Sequence, residues 1–279
     1  SAFPSAQIMA EEIKPGPAVL DFDLQKLETV GLYSDTNDGS LGRDLWTNSR
    51  RSEVVELLPL MPAPDKSPTQ QALVMGALTT LADIEQLDDY RKVEDGKDIF
   101  TLRLQKLNEI AAYKQSFEMY SLIGAEPYHL NLAKAGLTAL LMNGERSLAC
   151  LEYKTMEDRD FESEFWTSLS LYCRYVTASD QQKKDLKDSF CAASLGVLQN
   201  IAKNQKHKVS YSKNAFKDSS PLERAILIAD DRIIWPKISN QFLRSIPNYD
   251  VGIFLARKNL SIHERFMVMA YASKIGLTS

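Results

Sequence analysis

Proline cannot continue a helix, and the eleven prolines of this 279-residue chain are unevenly spread. None falls between Pro68 and Pro127, and none between Pro127 and Pro221. Both stretches carry apolar residues at steps of three and four, broken by capping signals about every fifteen to twenty-five residues. That pattern predicts a stack of short α-helices.

Particular residues set the expected limits. Arg50–Leu60 carries Val54, Val55, Leu57 and Leu58 and is stopped by Pro62 and Pro64. Ser67-Pro68-Thr69-Gln70 is a capping box with proline at the first helical position, and Leu73, Ala77 and Leu81 continue one face of its helix. Phe100, Leu104, Leu107 and Ala111 form the next stripe. Pro127–Asn143 has Lys134 as its one charge beyond the first turn and is apolar around most of its circumference, which predicts a central, buried helix. Glu145–Met156 follows, and then Phe161, Phe165, Leu169, Tyr172, Cys173 and Val176 make the cleanest stripe. Ser179 caps a helix running on through Leu186 and Phe190. Ser220-Pro221-Leu222-Glu223 and Ser261-Ile262-His263-Glu264 are two further capping boxes, the second opening a helix with Phe266, Met269 and Ser273 on one side.

The chain divides at residue 48. Residues 1–48, with Pro4, Pro15, Pro17 and several glycines, read as an extended arm with short helices, held to the body by Phe22, Leu24, Leu27, Tyr33, Leu41 and Trp46. Residues 49–279 read as a helical-array domain, with a sub-boundary in the basic loop 203–217 and a short strand at Val209–Ser212. Helices joined by short loops pack antiparallel, and starts near 127, 145, 160 and 180 space helix pairs by about 33–35 residues, as in tetratricopeptide repeats. The residue signature of that repeat is absent. The expected fold is therefore all-α, an irregular solenoid-like array with an extended N-terminal arm.

A net charge of −4 argues against a dedicated nucleic-acid binder, and no apolar run reaches the roughly eighteen residues of a membrane span. The chain begins Ser1-Ala2-Phe3-Pro4 without methionine, as after signal removal or after trimming. Cys150, Cys173 and Cys191 show no metal-ligand spacing. A hairpin turning near Asp158 puts Cys150 eight residues before the turn and Cys173 fifteen after it, so the two should not face each other. The same count around Ser179 separates Cys173 from Cys191, and all three read as free, buried thiols.

Several constellations bear on function. Lys203, Lys206, Lys208, Tyr211, Lys213 and Lys217 lie in a basic segment without acids, the candidate contact for an acidic partner, an anionic lipid surface or a nucleic acid, and otherwise a solvated loop. Asp35-Thr36-Asn37-Asp38-Gly39 resembles the start of a calcium loop, but its glycine is fifth rather than sixth and Trp46 stands where a bidentate Glu is needed. It reads as a polar turn. Glu126-Pro127-Tyr128-His129 has the E-x-x-H spacing of di-iron bundles in a single copy, where two copies and two more carboxylates are required. No metal or cofactor is assigned.

Glu162-Ser163-Glu164-Phe165 resembles the E-S-x-F core around the catalytic acid of lytic transglycosylases. Their glycine-rich continuation is replaced here by Trp166-Thr167-Ser168-Leu169-Ser170. The resemblance makes Glu162 the acid of the alternative, cell-wall-active reading, against a surface glutamate beside a core-facing Phe165. Gly39-Ser40-Leu41-Gly42-Arg43-Asp44-Leu45-Trp46, continuing through Arg50-Arg51 to Pro62, resembles segments of uncharacterised exported helical proteins of alphaproteobacteria. It implies a periplasmic or otherwise exported location, with the cytoplasm left open, and no activity. The leading functional reading is a non-enzymatic scaffold or adaptor that binds another protein, with the glycan enzyme and a small-ligand pocket lined by Tyr and Trp as alternatives.

Overall fold

Side-chain caps start several helices at serines, among them Ser67 and Ser261 of the expected capping boxes. Ser67 accepts the N–H of Gln70, Ser239 that of Phe242, and Ser261 that of Glu264. In the computed structural model, residues 24–62, 67–84, 96–123, 129–156, 163–186, 209–210, 219, 222–224, 227, 233–235, 237–246, 251–257 and 260–275 are described. The helices are α1 (Leu24–Thr29), α2 (Arg51–Leu57), α3 (Pro68–Thr79), α4 (Ile99–Glu109), α5 (Tyr113–Leu122), α6 (Leu130–Met142), α7 (Arg146–Thr155) and α8 (Glu164–Thr177). They continue with α9 (Asp180–Asp185), α10 (Asn240–Ser245), α11 (Val251–Ala256) and α12 (Ile262–Lys274). Strand among the described residues is confined to the parallel pair β1 (Val209–Ser210) and β2 (Ile233–Ile234), with Val209 opposite Ile233, and a single bridge between Tyr33 and Thr80. The fold is all-α.

The core is built on α4 and α6. Phe100, Leu104 and Leu107 of α4 are fully buried, and α4 packs on α1, α2, α3, α5 and α6. Helix α6 packs on α4, α5 and α7, as its nearly charge-free sequence requires. Leu137 is inaccessible, while Leu130 at the start of the helix is exposed. Gly136 lets α5 approach, because a methyl at that position would enter the ring of Tyr120. In α3 the buried face is Gln71, Val74, Ala77 and Leu78, so Leu73 points outward, contrary to the face read from spacing. Gly76 of that helix lies against Leu41, which fixes the orientation.

The described part of the arm is knitted into the body. Leu32 donates its N–H to the Thr79 carbonyl at 2.8 Å, Leu81 donates to the Tyr33 carbonyl at 2.8 Å, and Asp83 donates to the Arg43 carbonyl at 2.7 Å. Beneath this seam lies Arg103, wholly buried. Its guanidinium donates to the carbonyls of Leu78 (2.7 Å) and Thr80 (3.0 Å) at the end of α3. It also donates to those of Glu28 (3.3 Å) and Val30 (2.8 Å) at the end of α1. One cation thus satisfies the last carbonyls of two helices, groups that a helix cannot pair internally. Glu28, itself fully buried, accepts two hydrogen bonds from Arg51 and one from the N–H of Ile99 (2.8 Å), so it ties α1 to α2 and to the start of α4.

The expectation of free thiols at Cys150 and Cys173 is overturned. The two form a disulfide joining α7 to α8, with their Cα atoms 5.3 Å apart. A turn at Asp158 was the wrong origin for the count. Tyr153 stacks on Trp166 with ring centroids 6.4 Å apart; this pair is centred between positions 159 and 160 and the disulfide between 161 and 162, both later than Asp158. Because partners on opposite arms of a hairpin move in opposite directions along the sequence, a small error in the midpoint doubles at the partner. Cys191 lies outside the described residues.

Candidate interaction surface

Helix α12 combines a fixed inner face with an apolar outer one. Ser261 starts it with a reciprocal capping box: its hydroxyl accepts the Glu264 N–H at 3.2 Å, and the Glu264 carboxylate accepts the Ser261 N–H at 3.1 Å. The Ser261 hydroxyl also donates to that carboxylate at 2.7 Å, and these bonds, with Arg257 nearby, hold Glu264 below the usual carboxylate range. Val268, Ala272 and Ile275 form the inner face, and the helix rests on α10 and α11. Phe254 of α11 meets Trp235 and Phe242 edge to face beneath it, at centroid distances of 5.5 and 5.4 Å.

With α12 anchored this way, Ile262, Phe266 and Met269 point outward, exposed by 91%, 70% and 53%. At 100° per residue these positions and Ser273 fall on one line along the helix. Arg265 flanks that line on one side, and His263 and Lys274 flank it on the other, all three exposed. The helix carries a single carboxylate, Glu264, which lies off the exposed arc and is engaged in the cap. Isolated exposed apolar residues are ordinary, but three large ones at i, i+4 and i+7 form the anchor pattern with which a helix seats in an apolar partner.

Two polar features are less suited to be sites. The Tyr120 hydroxyl donates to Glu152 across the α5–α7 contact. Burial raises both groups above their ordinary ranges; the Glu152 charge adds to the rise for Tyr120, while the shared hydrogen bond restrains it for Glu152. The phenol and the carboxyl therefore serve each other. A groove of about 390 Å³ between α8 and α9 is lined by Arg174, Thr177, Ala178, Gln182, Asp185 and Leu186, with no aromatic ring among them.

Lys203, Lys206, Lys208, Tyr211, Lys213 and Lys217 lie outside the described residues, as do Glu162 and Glu126, while the strand expected there appears at Val209–Ser210. His129 is buried at the N-cap of α6. Thr36–Asp38 is a 3₁₀ turn followed by Gly39 at φ +95°, a conformation suited to glycine. Among the described residues no group of three or more His, Cys, Asp or Glu side chains is placed to hold a metal, and no helix is long and apolar enough to cross a membrane. The α12 residues were visible in the sequence as one side of a helix, but periodicity does not reveal which side faces water. No protein-family model, curated protein or solved structure matches the chain.

Proposed function

We propose that the protein is a non-enzymatic scaffold or adaptor, an irregular solenoid-like helical array that binds another protein through its surface. The observation that carries this reading is the outward row Ile262, Phe266 and Met269 on a helix whose opposite face is already buried. Keeping three large apolar side chains in water costs free energy that burial in a partner would recover, at about 25 cal/mol per Å². Two deeply buried charged groups are consumed by structure: Arg103 caps two helices and Glu28 joins three elements.

An exported location belongs to the same proposal. The Cys150–Cys173 disulfide supports it, since such bonds persist in oxidising compartments. So does the resemblance of residues 39–62 to exported helical proteins.

The test is a photo-reactive residue at position 269 in the source cell. The reading expects an adduct with another polypeptide that disappears when Phe266→Glu is added. No such adduct, together with release of glycan fragments from peptidoglycan that Glu162→Gln abolishes, would replace the scaffold by the enzyme.

A further inference from the structure

The joint between arm and body holds two buried carboxylates with unequal partners. We infer that this joint is a proton-operated clasp: acid fastens α1 onto the start of α4, and neutral pH lets the segment 24–33 open as a unit while the helices beneath it stay folded. Such a clasp needs no binding partner and so stands apart from the scaffold reading.

Glu28 of α1 and Asp98 at the N-cap of α4 are exposed by 0% and 1%. Glu28 is fully engaged: Arg51 donates to it twice and the N–H of Ile99 once. Asp98, the residue before Ile99, accepts the Thr101 N–H through one oxygen, and its other oxygen is buried without a hydrogen-bond partner. A charge taken out of water with an oxygen unsatisfied is costly, and Glu28 adds a like charge close by. The start of α4 favours a carboxylate but does not cancel these costs, and burial, with Glu28, pushes the Asp98 pKa up to about 6.

The elements packed on α4 supply Asp98 with no spare cation. In α2, Arg51 is spent on Glu28 and on the Lys97 carbonyl at 3.2 Å, and Lys97 itself is exposed. Within α4, Arg103 is spent on the carbonyls that close α1 and α3. Helix α3 has no charged residue, α5 pairs Lys114 with Glu118 at 3.8 Å, and α6 places Lys134 over the ring of Phe165.

Helix α1 has six residues, too few to persist off the body, so it docks or is lost as a unit. Its loss would return Asp98 to water, where a carboxyl titrates near 3.9. The closed form therefore holds the proton more tightly, and opening becomes easier as pH rises. With values of about 6 closed and 3.9 open, the opening constant grows about tenfold between pH 5 and pH 7.5.

The experiment is amide hydrogen exchange of the full chain at about pH 5 and pH 7.5, corrected for intrinsic rates. The segment 24–33 includes Leu32, whose N–H crosses the seam to the Thr79 carbonyl. It should be less protected than Leu130–Met142 at both pH values, and its protection should fall about tenfold at the higher one. Asp98→Asn should hold that protection within about twofold across the same range, at or above the wild-type level in acid. Equal protection of 24–33 and Leu130–Met142 would overturn the inference, because the arm would then open only with the whole fold. Wild-type protection of 24–33 that does not change with pH would also overturn it, whether or not the variant folds. A tenfold fall that persists in Asp98→Asn would overturn it in favour of another group, such as His129, buried at the N-cap of α6.

Discussion

Arg103 shows how one side chain can hold several segments together. Its four carbonyl partners belong to the ends of α1 and α3 and the residues that follow them. Burial lowers its pKa to about 10, with Glu28 opposing, so it remains charged at neutral pH. Arg103→Met should destabilise the protein by at least about 3 kcal/mol, because four buried carbonyls lose their donor and Glu28 loses a nearby cation. Chemical denaturation measures this, and a cost near zero would mean that water replaces the guanidinium.

Asp98, the N-cap of α4, accepts the Thr101 N–H at 2.6 Å through one carboxylate oxygen, while the other is buried without a hydrogen-bond partner. Burial pushes its pKa up to about 6, and Glu28 adds to the rise. The folded state then binds the proton more tightly than an unfolded chain, where the carboxyl titrates near 3.9. The resulting stabilisation is complete below about pH 4 and is lost as pH rises through about 6. Asp98→Asn keeps a capping oxygen and removes the charge. It should gain on wild type between pH 4 and 7 by about 2–3 kcal/mol at most, read from urea midpoints at several pH values. A difference that does not change with pH would contradict this.

Among the elements, α6 and the α7–α8 pair make separate predictions. Leu137→Ala should cost about 2–5 kcal/mol, since the fully buried side chain leaves a cavity within the α4–α6 core, and Leu130→Ala at the exposed start should cost under about 0.5 kcal/mol. Thiol titration under denaturing, non-reducing conditions should find one thiol rather than three, the disulfide having consumed Cys150 and Cys173. Replacing both bonded cysteines by alanine should destabilise by about 3 kcal/mol, because the bond closes a loop with a sequence separation of 23. Three thiols would remove the α7–α8 tie and, with it, one support for an oxidising compartment.

Helix existence was legible wherever a local signal sufficed. Ser67-Pro68 and Ser261 announced α3 and α12, and the nearly charge-free run 130–142 announced a central helix. Nonlocal geometry was not legible. The partner of Cys150 depends on a hairpin midpoint that single-residue counting misplaced. Arg103 stands beside Phe100, Leu104 and Leu107 with nothing local to signal two helix ends converging on it. The face of Leu73 depends on where Leu41 of the arm comes to rest.

For the molecule as a whole, Arg103 and Glu28 spend two buried charges on holding α1–α4 together, while α12 turns a row of large apolar side chains to solvent. That division predicts that α12 can be altered without loss of fold. It also predicts that Glu162, the acid of the alternative reading, can be neutralised without loss of binding. The most direct measurement is the affinity of the protein captured through position 269 for wild type, Phe266→Glu and Glu162→Gln, each with its denaturation midpoint. Phe266→Glu should lose at least about tenfold in affinity with a midpoint like that of wild type, and Glu162→Gln should keep wild-type affinity, as expected for an interface anchor exposed in the free protein. Wild-type affinity in Phe266→Glu, or a loss that merely follows unfolding, would contradict it.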